Sequence, residues 1–218
     1  MRPDTAIFDM DGLLVDSEPL WHEAAVEAMQ HFGVSIDAAA YAATVGLRTK
    51  EFLHHWFEVY GIDMAHVVDT ETDITGRVTD KLRLRGRLMP GAEAAVRLLR
   101  QEGMRIGLAT SSPLSLVDAF FELSGLAPLF DAVASAEHLD YGKPHPQVYI
   151  DCIRQLGRTA ASGVCFEDSF NGMLAAKSAR MRCIVVPAPE TWERGCWGTA
   201  DLKLSSLEQL TVDLVRNL

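Results

Sequence analysis

The run Thr5-Ala6-Ile7-Phe8-Asp9-Met10-Asp11-Gly12 decides the fold. Its first half is a short apolar stretch of the kind buried on both faces of a sheet, and its second half puts two carboxylates and a glycine where such a strand must stop. Runs of the same type recur at Arg105-Ile106-Gly107-Leu108-Ala109, Gly163-Val164-Cys165-Phe166 and Arg182-Cys183-Ile184-Val185-Val186, with a weaker one at Ala132-Val133-Ala134. Segments of helical periodicity separate them. Pro90 to Glu102 places Ala92, Ala95, Val96 and Leu99 on one stripe, and Ser112-Pro113 opens a helix that turns Val117, Phe120 and Phe121 inward and stops at Gly125. Strands alternating with helices indicate an α/β fold with a Rossmann-like, doubly wound parallel sheet. Ser206 and Gln209 have the spacing of a capping box for a last helix.

One interval breaks the rhythm. Some ninety-six residues separate Phe8 from Arg105, where a strand-helix-strand crossover needs about thirty. The excess reads as helices over Ser17–Phe32, Thr49–Tyr60 and about Ala65–Leu84, so the expected organisation is a core of residues 1–14 and 88–218 with an α-helical cap, 15–87, inserted after the first strand. Hinges are expected near residues 14–17 and 86–89, with the cap opening for substrate and closing against water.

Composition narrows the class. Of 218 residues, 48% are hydrophobic and 23% charged, which is ordinary globular usage and excludes disordered, collagen-like and coiled-coil chains. A net charge of −10 without a long basic run argues against a nucleic-acid or anionic-membrane surface. The N-terminus enters the first strand with no secretory h-region, so a cytoplasmic protein is expected, and no heptad pattern asks for a partner, so a monomer is expected. Cys152, Cys165, Cys183 and Cys196 are too far apart for a Cys-x-x-Cys site and read as small buried hydrophobes. His22-Glu23 has Val26 where a zincin helix needs its second His, and His54-His55 point to different sides of a helix.

In open α/β sheets, ligands bind beyond the carboxyl ends of the strands. Here those ends read Asp9-Met10-Asp11-Gly12, Thr110-Ser111-Ser112 and Glu167-Asp168-Ser169, with Gly142-Lys143-Pro144 before the fourth run. An Asp-rich turn would account for the first of these but not for the others. Asp9, Glu167 and Asp168 brought to one crevice repel, since two unit charges 4 Å apart at an effective dielectric near 20 cost roughly 4 kcal/mol. A cation is therefore expected, and an all-oxygen donor set with room for water and a phosphate suits Mg²⁺. Lys143, the Thr110 hydroxyl and the Ser111 amide are candidate phosphate holders. Asp9, rigid at a strand end, is the candidate nucleophile, and Asp11 the acid that protonates the leaving oxygen and then the base that activates water.

These four motifs, in this order and over the whole chain, resemble the haloacid dehalogenase-like (HAD) hydrolase superfamily, in the β-phosphoglucomutase-like branch with a helical cap. The resemblance implies Asp9 as nucleophile and Asp11 as acid/base. It implies Mg²⁺ held by Asp9, the Asp11 backbone carbonyl and Asp168, with Glu167 at or near the metal. Members that cleave carbon–halogen or carbon–phosphorus bonds lack the second Asp, so phosphoester chemistry is implied. Hexose-phosphate mutases of this branch have a His where this chain has Trp21, next to His22, which favours hydrolysis.

The runs Asp16-Ser17-Glu18-Pro19-Leu20-Trp21, Val45-Gly46-Leu47-Arg48 and Tyr141 to Tyr149 are similar to those of bacterial phosphatases acting on 2-deoxyglucose 6-phosphate and hexitol phosphates, implying a small sugar or sugar-alcohol phosphate substrate. In the cap, Gly46 and Arg48 lie on a loop suited to reading the sugar. Glu18 either accepts hydrogen bonds from sugar hydroxyls or complements the dipole of the helix that Ser17 caps. Two other readings stay open: a sugar phosphomutase of the β-phosphoglucomutase type, and a non-catalytic module that binds a metabolite.

Overall fold

The computed structural model describes residues 2–37, 40, 41, 44 and 47–218. Strand β1 (Thr5–Phe8) is buried at every position, as a run with no polar alternation requires. It pairs in parallel with β2 (Arg105–Thr110) on one side and β4 (Gly163–Glu167) on the other. Outside these lie β3 (Ala132–Ser135), β5 (Arg182–Val185) and β6 (Leu202–Lys203), giving the order β3-β2-β1-β4-β5-β6. The chain builds outward from β1 to β3, then returns to the far side of β1. That reversal opens a crevice beyond the carboxyl ends of β1 and β4. Register decides what lines it: Phe8 lies opposite both Leu108 and Phe166, so Asp9 falls level with Ala109 and Glu167, and Thr110 lies one residue further along β2.

Alternate residues of β1 face opposite layers. Ile7 joins Cys165 and Val185 beneath α6 (Gln147–Gln155) and α7 (Phe170–Ser178), whose Val148, Cys152, Met173 and Ala176 complete that core. Ala6 and Phe8 face the other layer, with Leu99 of α4 (Ala92–Gln101) and Phe120 of α5 (Leu114–Ser124), and the Phe8 and Phe166 rings stack at 4.5 Å. Each such fully buried side chain contributes about 1.5–3 kcal/mol.

Between β1 and α4 the chain forms α1 (Glu18–Gln30), α2 (Thr49–Tyr60) and α3 (Val67–Arg85). Helix α3 packs on α1, α2 and α5, burying Ile74, Val78 and Leu82 against Leu20, Ala24, Leu53 and Phe57. Lys81 pairs with Glu23 and Glu27 alongside. The insert leaves and re-enters the sheet layer at one place: Asp16 N donates to Arg87 O, Met89 N to Leu14 O, and Val15 bridges Leu88.

Several local expectations are corrected. Strand β6 is two half-buried residues, too short to show in a pattern. Ser206 accepts from Glu208 N to cap a 3₁₀ turn over Leu207–Gln209, while Thr211 caps the last helix, α8 (Val212–Arg216). Phe121 is only partly buried. Ser17 sits at the N-cap of α1 but its hydroxyl does not cap the helix. The cysteines are free, three of them buried. Trp197 donates to Thr191 O and Lys203 sits over the Trp192 ring, so both tryptophans fasten the segment between β5 and β6. No helix among the described residues is long and apolar enough to cross a membrane.

Candidate active site

At the end of β1, Asp9 N donates to Phe166 O at 3.0 Å, which fixes the Asp9 carboxyl at the crevice. Its Oδ1 accepts from Lys143 Nζ at 2.6 Å. The same ammonium donates to Glu167 Oε1 at 2.6 Å and Ala109 O at 3.0 Å, so its three N–H groups are occupied. Tyr149 Oη also donates to Glu167 Oε1, and Ser169 Oγ to Oε2 at 3.2 Å. Burial disfavours the Lys143 charge, but Asp9 and Glu167 outweigh it and hold its pKa above the usual lysine value.

Gly12 makes the next feature possible. Its φ of 72° is a left-handed conformation, and a Cβ there would run into the Asp168 carboxylate. Asp168 is therefore pressed against the turn that follows Asp9. It receives no hydrogen bond or ion pair among the described residues, and burial, then Asp9 and Glu167, push its pKa well up. Burial likewise pushes Asp9 up to about 8 against the pull of Lys143, with Glu167 and Asp11 adding to it. Asp9, Glu167 and Asp168 each offer an oxygen within 4.8 Å of the others. Three hard oxygen donors, one of them the unpaired, half-buried Asp168 carboxylate, fit a divalent cation such as Mg²⁺.

The Asp11 carboxylate is held from both sides. Oδ1 accepts from Ser17 Oγ at 2.6 Å and Trp21 Nε1 at 3.0 Å, both from the insert. Oδ2 accepts from Ser112 Oγ at 2.7 Å and Thr110 Oγ1 at 3.4 Å, at and just past the end of β2. Ser111 Oγ is buried with no hydrogen-bond partner among the described residues and lines the same cavity, as a donor awaiting an anion would. The cavity is a partly open cleft at the ends of β1 and β2, walled on its other side by Trp21, Tyr41, Phe52 and Ile74 of the insert. Asp9, Asp11, Glu18, Arg48, Thr110, Ser111, Lys143 and Asp168 all line it.

Gly46 lies outside the described residues. Arg48 reaches the cavity wall, but its guanidinium donates to Glu51 and to backbone carbonyls of the core rather than into the space a sugar would fill. Glu18, in the first turn of α1, lines the cavity; burial, then Asp11 and Asp16, push its pKa up to about 7. Because that folded value exceeds the ordinary 4.5, the folded state binds the proton more tightly. The resulting stability is complete below pH 4.5 and lost as pH rises through 7. Glu18→Gln is therefore expected to unfold at higher urea than wild type at pH 8, by up to about 3 kcal/mol, with the gap closing by pH 5. An equal gap at both pH values would contradict the buried carboxyl.

Ser17, Trp21, Ser112, Tyr149 and Ser169 complete the hydrogen bonding of these carboxylates and were not singled out as site residues in the sequence. Ser112 and Ser169 directly follow recognised motif residues, which is a usable signal; Tyr149 carries none.

A model of the haloacid dehalogenase-like hydrolases matches residues 3–180. Hexitol phosphatase B of Escherichia coli is 43% identical over 207 residues, 94% of this chain and 93% of that protein. Fructose-1-phosphate phosphatase of the same organism is 30% identical over 181 residues, 83% of this chain and 94% of that one. Among solved structures, CbbY of Rhodobacter sphaeroides in complex with phosphate superposes with a TM-score of 0.89 at 26% identity, over 100% of both chains. With its sheet order, its carboxylates at the strand ends and these relatives, the chain belongs to the haloacid dehalogenase-like hydrolases.

Proposed function

We propose that this hydrolase is a Mg²⁺-dependent phosphatase of small sugar or sugar-alcohol phosphates, of the hexitol phosphate or 2-deoxyglucose 6-phosphate type, working through an aspartyl-phosphate. One observation carries the reading: Asp9 and Asp11 line the same cavity, Asp9 facing Lys143 and Asp168, and Asp11 tied to the insert. The relatives' names supply the substrate class.

Asp9 attacks phosphorus, forming a new P–O bond as the ester P–O bond breaks. Asp11 gives the sugar oxygen its proton, then takes one from the water that attacks the aspartyl-phosphate and frees Asp9. Thr110 and Ser111 orient the phosphoryl oxygens, and Lys143, held by Asp9, Glu167 and Ala109 O, adds positive charge beside them. Asp9, Asp168 and the Asp11 backbone carbonyl would hold Mg²⁺, with Glu167 acting mainly on Lys143, and the ion would supply charge that keeps Asp9 ionised and offsets charge on the phosphoryl group. Residues 15–87 act as the cap, moving about residues 14–17 and 86–89, with Glu18 facing sugar hydroxyls.

Trp21 favours hydrolysis over phosphoryl return. It fills the position of the mutase His and donates to Asp11, leaving no second acid/base there. The test is inorganic phosphate release with and without Mg²⁺ across hexitol phosphates, 2-deoxyglucose 6-phosphate, fructose 1-phosphate and phosphoglycolate. Release is expected from the polyol and sugar phosphates only, and only with the metal. Conversion of β-glucose 1-phosphate to the 6-phosphate without release would replace this reading by the mutase.

A further inference from the structure

Arg48 stands at the N-cap of α2 with its side chain 11% exposed. Its guanidinium has five N–H groups, and each finds a protein acceptor. Nη1 donates to Leu139 O at 2.6 Å and Ala136 O at 3.2 Å, and Nη2 to Asp140 O at 3.1 Å. Nη2 and Nε also meet Glu51 Oε1, at 2.7 and 3.1 Å. Glu51 in turn accepts from Arg48 N at 3.2 Å and from Gly142 N at 3.3 Å. All the core partners belong to the loop that leads from β3 to Lys143. Gly142 is shaped to this contact: a Cβ there would lie 2.7 Å from Arg48 Nε and 2.9 Å from its Cγ and Cδ.

We propose that Arg48 and Glu51 form a latch that fastens the helical insert to the loop delivering Lys143, so that the site closes without an anionic group on the far end of the substrate. The inference rests on the phosphatase reading and adds how the closed site is held. Charge-assisted hydrogen bonds to three carbonyls, with Glu51 Oε1 receiving both Nε and Nη2, give a multipoint grip that an exposed ion pair would not.

The latch also limits what can bind. The charged residues lining the cavity are Asp9, Asp11, Glu18, Arg48, Lys143 and Asp168. Both cations are occupied, Lys143 by Asp9 and Glu167, Arg48 by the latch. The residues at 38, 39, 42, 43, 45 and 46 are four alanines, a valine and a glycine, so none brings a further charge. A substrate with a single phosphate and an uncharged, hydroxyl-bearing remainder matches this balance; a bisphosphate does not. Arg48 and Glu51 are thus positioning residues.

The decisive variant is Gly142→Ala, which displaces the Arg48 side chain while leaving both latch charges in place. The full-length enzyme with Mg²⁺ and sorbitol 6-phosphate is compared as wild type, R48A, E51Q, G142A and the R48A/G142A double variant, alongside amide hydrogen exchange of residues 136–142. Each single variant is expected to lower kcat at least ten-fold and to speed exchange of that loop, and the double variant to lose no more than either single one. A rise in KM for R48A alone, with E51Q and G142A behaving as wild type and the loop exchanging unchanged, would make Arg48 a substrate ligand and overturn the latch. Faster turnover of glucose 1,6-bisphosphate than of the monophosphates would overturn the exclusion of a second anion. If wild type releases no phosphate from any monoester, the phosphatase reading fails by itself, and loop exchange in R48A, E51Q and G142A still decides the latch.

Discussion

Asp9→Asn is expected to abolish turnover, by a factor of roughly 10⁵ or more, with no phosphoenzyme detectable by intact mass. An amide nitrogen and a neutral oxygen cannot form the acyl-phosphate bond, and no other carboxylate in the cavity stands in the same place. Asp11 is held by four side-chain donors, and Glu167 is saturated by Lys143, Tyr149 and Ser169. The fold should survive, since Lys143 keeps Glu167 and Ala109 O as partners. Without divalent metal the variant is expected to melt no lower than wild type, because burial already disfavours the Asp9 charge. Residual turnover above about one part in a hundred in a pure preparation would remove Asp9 from the nucleophile's role.

Asp11→Asn separates the two half-reactions. With a sugar phosphate, whose leaving oxygen needs a proton, kcat is expected to fall by about 10²–10⁴. With p-nitrophenyl phosphate the leaving group departs unaided, so the first step should survive while the water attack lacks its base. The expected signature is a burst of nitrophenolate stoichiometric with enzyme, followed by slow turnover and an accumulated phosphoenzyme. Loss of the burst would show that Asp11 is needed for the first step irrespective of the leaving group, which an acid/base role does not predict.

Much of this site is legible before any coordinates because strand ends are local. An apolar run stops at Asp9, Thr110 or Glu167, and parallel register alone then brings those residues to within one position of a common level. Arg48 is different. Its partners in the core lie 88 to 92 residues away and are backbone carbonyls, which leave no trace in side-chain pattern. Ser17 misleads for the opposite reason: it occupies a good capping position, yet a carboxylate six residues earlier accepts its proton instead. Glu18 lines the cavity as the sugar-reading alternative requires, while its raised pKa reflects burial, which periodicity does not measure. Strand β6 was hidden by its length of two residues.

Asp16 and Leu14 leave the sheet layer hydrogen-bonded to Arg87 and Met89, which return to it. Those two rungs are where the backbone of the excursion departs from the sheet layer and rejoins it, and lengthening a closed excursion costs just about 0.6 kcal/mol per doubling. An ancestral gene could therefore exchange everything between the rungs, as a cassette, without disturbing Asp9 or its register partners. Diversification of substrates across such a lineage would then proceed by grafting and drift in one contiguous stretch of DNA, while selection on the phosphoryl chemistry acts on the stretches either side of it.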